Sequence, residues 1–436
     1  MFTYMMGIAW RSMRRNPWLT LLLVGGIALG IAVSNSFVTV MYVMGGHPIP
    51  DKEGSLFYVE IDAWDPQRPW DDDKPEVPPD QLTWLDAMAV LASDVPSHRV
   101  VMYKSEVTVH PESKEVRPWR AVTRMCTSDF FSMFDVPFAH GTGWGRDADK
   151  GPEPVVVLSF ETNNKLFGGE DSVGKTLRLE DRDFTIAGVM APWRPVPKFY
   201  DTHNGAYDEI EEVYIPLMWG EPMELWSTGN TSNWKSFDWS KFKNIMGSEA
   251  VWIQAWVEME PSKEEAFVDY MNAYALEQKK LGRYQRPVNN RLLSVREWLD
   301  FEEVVPDEAR SMLLIGLLFL GVCSVNLIGI LLGKFLARSP EVGVRRALGA
   351  SRRSVFLQHL LECEMVATIG GLVGLVLCFG SLRLIEKLFE MDFRLTLDPL
   401  MMLTGLGLAL VAGLIAGIYP AWRICKVPPA LHLKTQ

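Results

Sequence analysis

Cysteine is scarce, with five in 436 residues. Four of them, Cys323, Cys363, Cys378 and Cys425, fall in or beside long apolar runs. Cys126 stands alone in the polar middle of the chain, so no disulfide can form within that middle. No G-x-S-x-G, H-E-x-x-H or C-x-x-C occurs, which removes the motif-borne signatures of serine hydrolases, zinc proteases and dithiol redox enzymes. His98, His110, His140 and His203 are far apart and lack metal-ligand spacing. Basic residues are also short in the middle: Gly45 to Arg310 holds 28 Lys and Arg against 47 Asp and Glu. A segment this acidic has no electrostatic reason to bind nucleic acid.

What the chain has instead is long charge-free runs, gathered at its two ends. They are Trp18–Met44, Met312–Gly333, about Val355 to Leu382, and Pro399–Trp422. A helix needs roughly 20 apolar residues to cross the hydrocarbon core, and each run is about that long or longer. The first follows Arg11, Arg14 and Arg15 as a signal peptide's core would, but it exceeds an h-region and no A-x-A site follows it. It reads as an uncleaved anchor.

Basic residues collect in the short cytoplasmic loops of membrane proteins. Residues 1–17 carry three arginines and no acid. Residues 334–354 carry Lys334, Arg338, Arg345, Arg346, Arg352 and Arg353 against Glu341 alone. The tail 423–436 carries Arg423, Lys426 and Lys434 with no acid. The predicted order is therefore an amphipathic cytoplasmic segment (1–17), a first span (18–44), an outer domain (45–311), a second span (312–333), a cytoplasmic helix or loop (334–354), a third span (355–382), a short outer loop (383–398), a fourth span (399–422) and a cytoplasmic tail (423–436). The fold class expected is a membrane protein of one plus three transmembrane helices, with a large extracytoplasmic α+β domain of two subdomains between helices 1 and 2.

The outer domain offers candidate strands at 55–64, 99–110, 154–159 and 250–259, a hairpin over 175–190, and candidate helices at 79–92, 128–134 and 262–280. Residues 193–247 hold Trp193, Trp219, Trp226, Trp234 and Trp239 with few periodic aliphatics. This is a long loop pinned by its aromatics, or a docking surface built on Trp226, Trp234 and Trp239. Gly169 to Thr176 fits the letters G-x-x-x-x-G-K-T of a phosphate-cradling loop. A working loop of that kind follows a strand and opens a helix. Here a short helix precedes it and an alternating strand follows, so the expectation is a surface turn and no cofactor site. No metal site is expected either.

The stretch 337–375 is the most informative. Pro340 and Glu341 start a short helix, Arg345 and Arg346 suit its far end, and Gly349 stops it. A second helix starts near Ser351 or Arg352 and continues into the third span. Glu341, Val342, Gly343, Val344, Arg345, Ala347, Leu348, Gly349 and Ala350, then Gln358, Glu362, Gly370 and Gly371, resemble the corresponding loop and span of the MacB/FtsX-type permeases of ABC transporters. The hairpin stretch 166–190 and the ending Y-P-A-W-R-I-C-K-V-P-P-A-L are similar to that family as well. Pro340 replaces the family's usual Arg, the tail is one residue short before Ala430 and Leu431, and Glu364 adds a second acid near the cytoplasmic end of the third span. An acid there either snorkels to the interface or pairs with a base on a neighbouring chain.

The resemblance implies a permease of the mechanotransmission type, with no fused nucleotide-binding domain in these residues and no enzymatic activity of its own. The partners implied are a cytoplasmic ABC ATPase dimer that binds ATP and Mg, a second permease subunit, identical or not, a periplasmic adaptor and an outer-membrane channel. The implied location is the bacterial inner membrane. The helix 341–349 would dock the ATPase, with Glu341, Arg345 and Arg346 making the polar contacts and Val342, Leu348 and Ala350 filling its groove; Gly343, Ala347 and Gly349 belong to the same coupling stretch. ATP binding would then tilt the spans, and the outer domain would move a substrate such as a peptide or antibiotic. Gly25, Gly26, Gly30, Gly370, Gly371 and Gly374 would let the spans approach closely. Lipoprotein release, or a signal relay to a cell-envelope enzyme without transport, are the alternative readings.

Overall fold

The computed structural model describes residues 2–112, 116–388, 395 and 397–426. They form two compact units, one of Met1–Gly45 with Val305–Gln436 and one of Gly46–Val304. The first opens with α1 (Phe2–Arg15) and α2 (Pro17–Met44). Asn16 breaks the helix between them (φ −132°, ψ 76°), and Pro17 occupies the first turn of α2, where its missing N–H leaves no bond unmade.

The Gly46–Val304 unit contains β1 (Leu56–Glu60), α3 (Trp84–Ala92), β2 (His98–His110), β3 (Trp119–Cys126), α4 (Phe130–Met133), β4 (Phe138–Gly141), β5 (Val155–Leu158), α5 (Phe160–Phe167), β6 (Thr176–Leu179), β7 (Arg182–Met190), β8 (Val213–Pro216), α6 (Phe242–Met246), β9 (Gln254–Glu258), α7 (Glu264–Lys280), β10 (Arg291–Ser294) and α8 (Val295–Phe301). The strands join in one ten-stranded sheet ordered β10-β1-β9-β2-β3-β8-β5-β7-β4, with β6 paired to β2 and β7. β3 with β8 and β5 with β7 run parallel, and the other pairs are antiparallel.

Alternation along the strands sorts side chains onto two faces. Phe57, Val101, Met125, Val213 and Val257 enter one core, and Tyr58, Met102, Cys126, Tyr214 and Trp256 enter the other. The two cores lie on opposite faces of one continuous sheet inside one compact unit, so the domain is not divided into the two subdomains anticipated from sequence.

The second core holds a buried ionic network. Arg124 of β3 pairs with Asp201 and Glu211, and Lys198 Nζ lies 3.5 Å from Glu211. Tyr200 donates to Glu211 at 3.0 Å, and Gln254 donates to Asp201 at 3.0 Å. Burial by itself would raise the Glu211 carboxyl; Arg124 and Lys198 outweigh it and hold it at about 2. The segment 193–247 is therefore not only a surface loop: its first third carries core charges, and β8 lies within it.

A second cluster joins residues distant in sequence. His203 Nδ1 is 3.0 Å from Glu302 and 3.3 Å from Asp80. Burial would lower the imidazole, but the Glu302 hydrogen bond and the Asp80 charge raise it to about 9. The imidazolium thus acts as the cation between two carboxylates.

The chain returns to the first unit as α9 (Asp307–Leu336), α10 (Ser339–Ala347), α11 (Arg352–Leu388) and α12 (Pro399–Cys425). Helices α2, α9, α11 and α12 are long and apolar enough to cross a membrane. In its most apolar window α2 is 56% buried and α9 only 22%, which puts α2 at the centre and α9 at the rim. Small residues set the approach. A methyl group on Gly370 would lie 2.8 Å from Ile27 Cβ, and one on Gly374 2.9 Å from the Ala28 carbonyl oxygen, so α11 rides directly on α2. Gly371 faces Ala409 of α12, Gly30 faces Leu320 of α9, and Gly26 stands 3.6 Å from Leu327. Among the described residues nothing lies within 4 Å of a methyl placed on Gly25, so it takes no part in the packing of this chain's own helices. The sequence reading missed Gly405, Gly413 and Gly417, which face Leu375, Ala367 and Cys363.

Candidate functional site

The candidate site is α10 and the helix ends around it. Pro340 lies in its first turn with Glu341, and Arg345 and Arg346 close its last turn, as the helix dipole favours. Glu341 accepts from Arg345 across one turn at 2.8 Å. Arg345 also donates to Gln358 of α11 at 3.2 Å, and Arg346 donates to the Cys425 carbonyl of α12 at 3.0 Å. Gly349 adopts φ +102°, a conformation open to glycine, and so turns the chain into α11.

These bonds fix α10 to the bundle and decide which residues remain outward. Val342 and Gly343 are buried, Val342 within the helical core, so Val342 is unavailable to fill a partner's groove, contrary to the expectation from sequence. Arg345 and Arg346 are half-buried and engaged within the chain. The outward face is Glu341, Val344, Ala347 and Leu348, with Leu348 84% and Val344 49% exposed. Ala350 is half-buried.

The two acids of α11 divide. Glu362 is buried and receives Lys334 Nζ at 2.6 Å, Arg338 Nη1 at 3.7 Å and the Ser12 hydroxyl. Its bases belong to its own chain. Glu364 lies toward α12, 3.2 Å from a methyl placed on Gly413, and its Oε1 has no hydrogen-bond partner among the described residues.

The remaining predicted residues lie elsewhere. Helix α5 precedes the Gly169–Thr176 stretch and β6 follows it, the reverse of a phosphate-binding loop. The Gly174 and Lys175 amides already donate to Ile186 and Ser172 carbonyls, and Lys175 sits over the Phe167 ring. Trp226 packs against Trp239 and Phe242, and Trp234 donates to the Ala63 carbonyl. Of these three only Trp239 is mostly exposed, at 51%. The tail motif is described as far as Lys426; its end, with Ala430, Leu431 and Lys434, lies outside the described residues, as does most of the second half of the 383–398 loop.

A model described as "MacB-like periplasmic core domain" matches residues 20–266, and one described as "FtsX-like permease C-terminal" matches residues 313–429. The chain belongs to the MacB-like permeases. Among the relatives of this MacB-like permease is the macrolide export ATP-binding/permease protein MacB of Wolinella succinogenes, 22% identical over 99% of this chain and 60% of its own. The pyoverdine export ATP-binding/permease protein PvdT of Pseudomonas aeruginosa is 24% identical over 71% of this chain and 41% of its own. An uncharacterized ABC transporter permease of Bacillus subtilis, YvrN, is 22% identical over 70% of this chain. This MacB-like permease thus spans about 60% or less of the length of the two export proteins. A solved structure of the periplasmic region of MacB from Actinobacillus actinomycetemcomitans covers 57% of this chain and 92% of its own, at 12% identity and a TM-score of 0.36.

Proposed function

We propose that the protein is the permease subunit of an ABC transporter, and that α10 carries motion from a separate cytoplasmic ATPase into the bundle. The four apolar helices would lie in a bacterial inner membrane with Gly46–Val304 on the periplasmic side. The observation that carries the reading is the outward face of α10: an acid and three apolar side chains on a short helix tied to α11 and α12 by Arg345 and Arg346. A face of that kind fits a groove on a partner and moves two long helices when it is pushed. ATP and Mg would be bound by the partner, in line with the turn geometry at Lys175. The export named for the macrolide and pyoverdine relatives suggests a small envelope compound as substrate, with a second permease copy beside this one.

Leu348→Glu combined with Val344→Glu tests this. Both side chains are exposed, so the fold is expected to survive. A tagged full-length chain purified from its host should carry Mg-dependent ATPase activity, and the double variant should lose most of it. Equal co-purified activity in parent and variant removes α10 as the docking element.

A further inference from the structure

Beside α10 lies a cavity of about 220 Å³ lined by four arginines from three parts of the chain: Arg11 and Arg15 of α1, Arg338 from the turn before α10, and Arg345 of α10. Two carboxylates also line it, and both are engaged. Glu341 is bound by Arg345 at 2.8 Å, and Glu362 by Lys334 at 2.6 Å. Among the described residues neither Arg11 nor Arg15 forms an ion pair. They stand four residues apart on one face of α1, where like charges repel. Arg338 and Arg345 are paired with Glu362 and Glu341, which leaves Arg11 and Arg15 as the two uncompensated guanidinium groups at this cavity; such a pair fits an anion that accepts several hydrogen bonds at once, and a phosphate group matches the arginine fork.

The surroundings indicate where that phosphate comes from. Ala9 and Met13 of α1 are buried, while Met6 and Trp10 are exposed, so α1 shows apolar side chains to its surroundings as interfacial helices do. Directly after it, Trp18, Leu21 and Leu22 of α2 are exposed at the start of the first membrane-length helix. The arginines thus stand at the boundary between a polar end and an apolar helix, the depth of lipid headgroups. Arg14 faces away and sits over the Trp10 ring at 5.4 Å.

We propose that this cavity, through Arg11 and Arg15, binds the phosphate of an anionic phospholipid of the cytoplasmic leaflet beside α10. The proposal rests on the membrane placement above and not on an ATPase partner. The test therefore uses the full chain alone. Protein purified in micelles containing equal phosphatidylglycerol and phosphatidylcholine is analysed for retained lipid by native mass spectrometry. The parent should retain phosphatidylglycerol in preference, and Arg14→Gln should match it. Arg11→Gln with Arg15→Gln should lower the preference roughly thirtyfold. Arg11→Lys with Arg15→Lys keeps the charges that orient insertion and should lose part of the preference through the missing fork geometry; it carries the test if the glutamine variant fails to insert. A parent without preference, or an Arg14→Gln loss as large as that of the double variant, overturns the site. Saturable binding of inorganic phosphate without phosphatidylglycerol preference overturns the lipid assignment in favour of a soluble phosphate.

Discussion

Replacing Arg124 by Met keeps most of the side chain's volume and removes its charge. Glu211 and Asp201 would then share the core with Lys198 as their nearest cation. In the parent, Arg124 and Lys198 hold Glu211 down from 4.5 to about 2 against the effect of burial. At about 1.36 kcal/mol per pH unit that displacement is on the order of 3 kcal/mol. The figure agrees with the roughly 3–5 kcal/mol lost when one partner of a buried pair is removed. For a domain of this size about 2–4 °C of Tm accompanies each kcal/mol, so the midpoint should fall by roughly 6–12 °C. Intrinsic fluorescence of the full chain in detergent reports on the right unit, because 13 of the 16 tryptophans lie between residues 46 and 304. A group held below its unfolded value contributes above that value and ceases to contribute as pH falls toward the folded one. The gap between parent and variant should therefore be full above pH 4.5 and narrow toward pH 2. Adding Asp201→Asn and Glu211→Gln to Arg124→Met should recover much of the loss. A midpoint within about 2 °C of the parent at pH 7, or a gap indifferent to acid, would refute the reasoning.

Two further outcomes follow from the geometry. His203 is raised to about 9, so its contribution is complete below its ordinary value of 6.5 and lost as pH rises through 9. The difference in midpoint between parent and His203→Asn should thus shrink between pH 7 and pH 10; a constant difference contradicts the charged cluster. Gly374→Leu would drive a side chain into the Ala28 carbonyl and Ile31, whereas Gly25→Leu meets open space. The first should reduce the yield of monodisperse protein severalfold and the second leave it unchanged, as read by size-exclusion chromatography; equal yields would deny the α2–α11 contact.

The membrane-length helices were legible because apolar length needs no partner to be read. The strands at 55–64, 99–110 and 250–259 were visible because each is a run rich in β-branched and aromatic residues. β8 escaped: a four-residue strand that follows two glutamates and ends in a proline carries too short a period, and the aromatics around it suggest a loop. The site was half legible. Spacing located α10 and its arginines, but only packing shows that Val342 turns inward and Val344 outward. Glu362's partners, Lys334, Arg338 and Ser12, come from three chain segments, and nothing in their spacing announces them. The glycines of α12 did carry a signal that was passed over, since Gly405, Ala409, Gly413 and Gly417 recur every fourth residue.

Helix α11 runs unbroken for 37 residues, about 56 Å at 1.5 Å per residue, and Gly370, its tightest contact on α2, is its middle residue. A stiff rod resting on a pivot at its midpoint behaves as a seesaw. Were α11 to tilt about that contact, a sideways displacement at the Arg352 end would reappear at the Leu388 end with about equal size and opposite direction, and the contacts of Gly374 and Ser381 with α2 would have to slide.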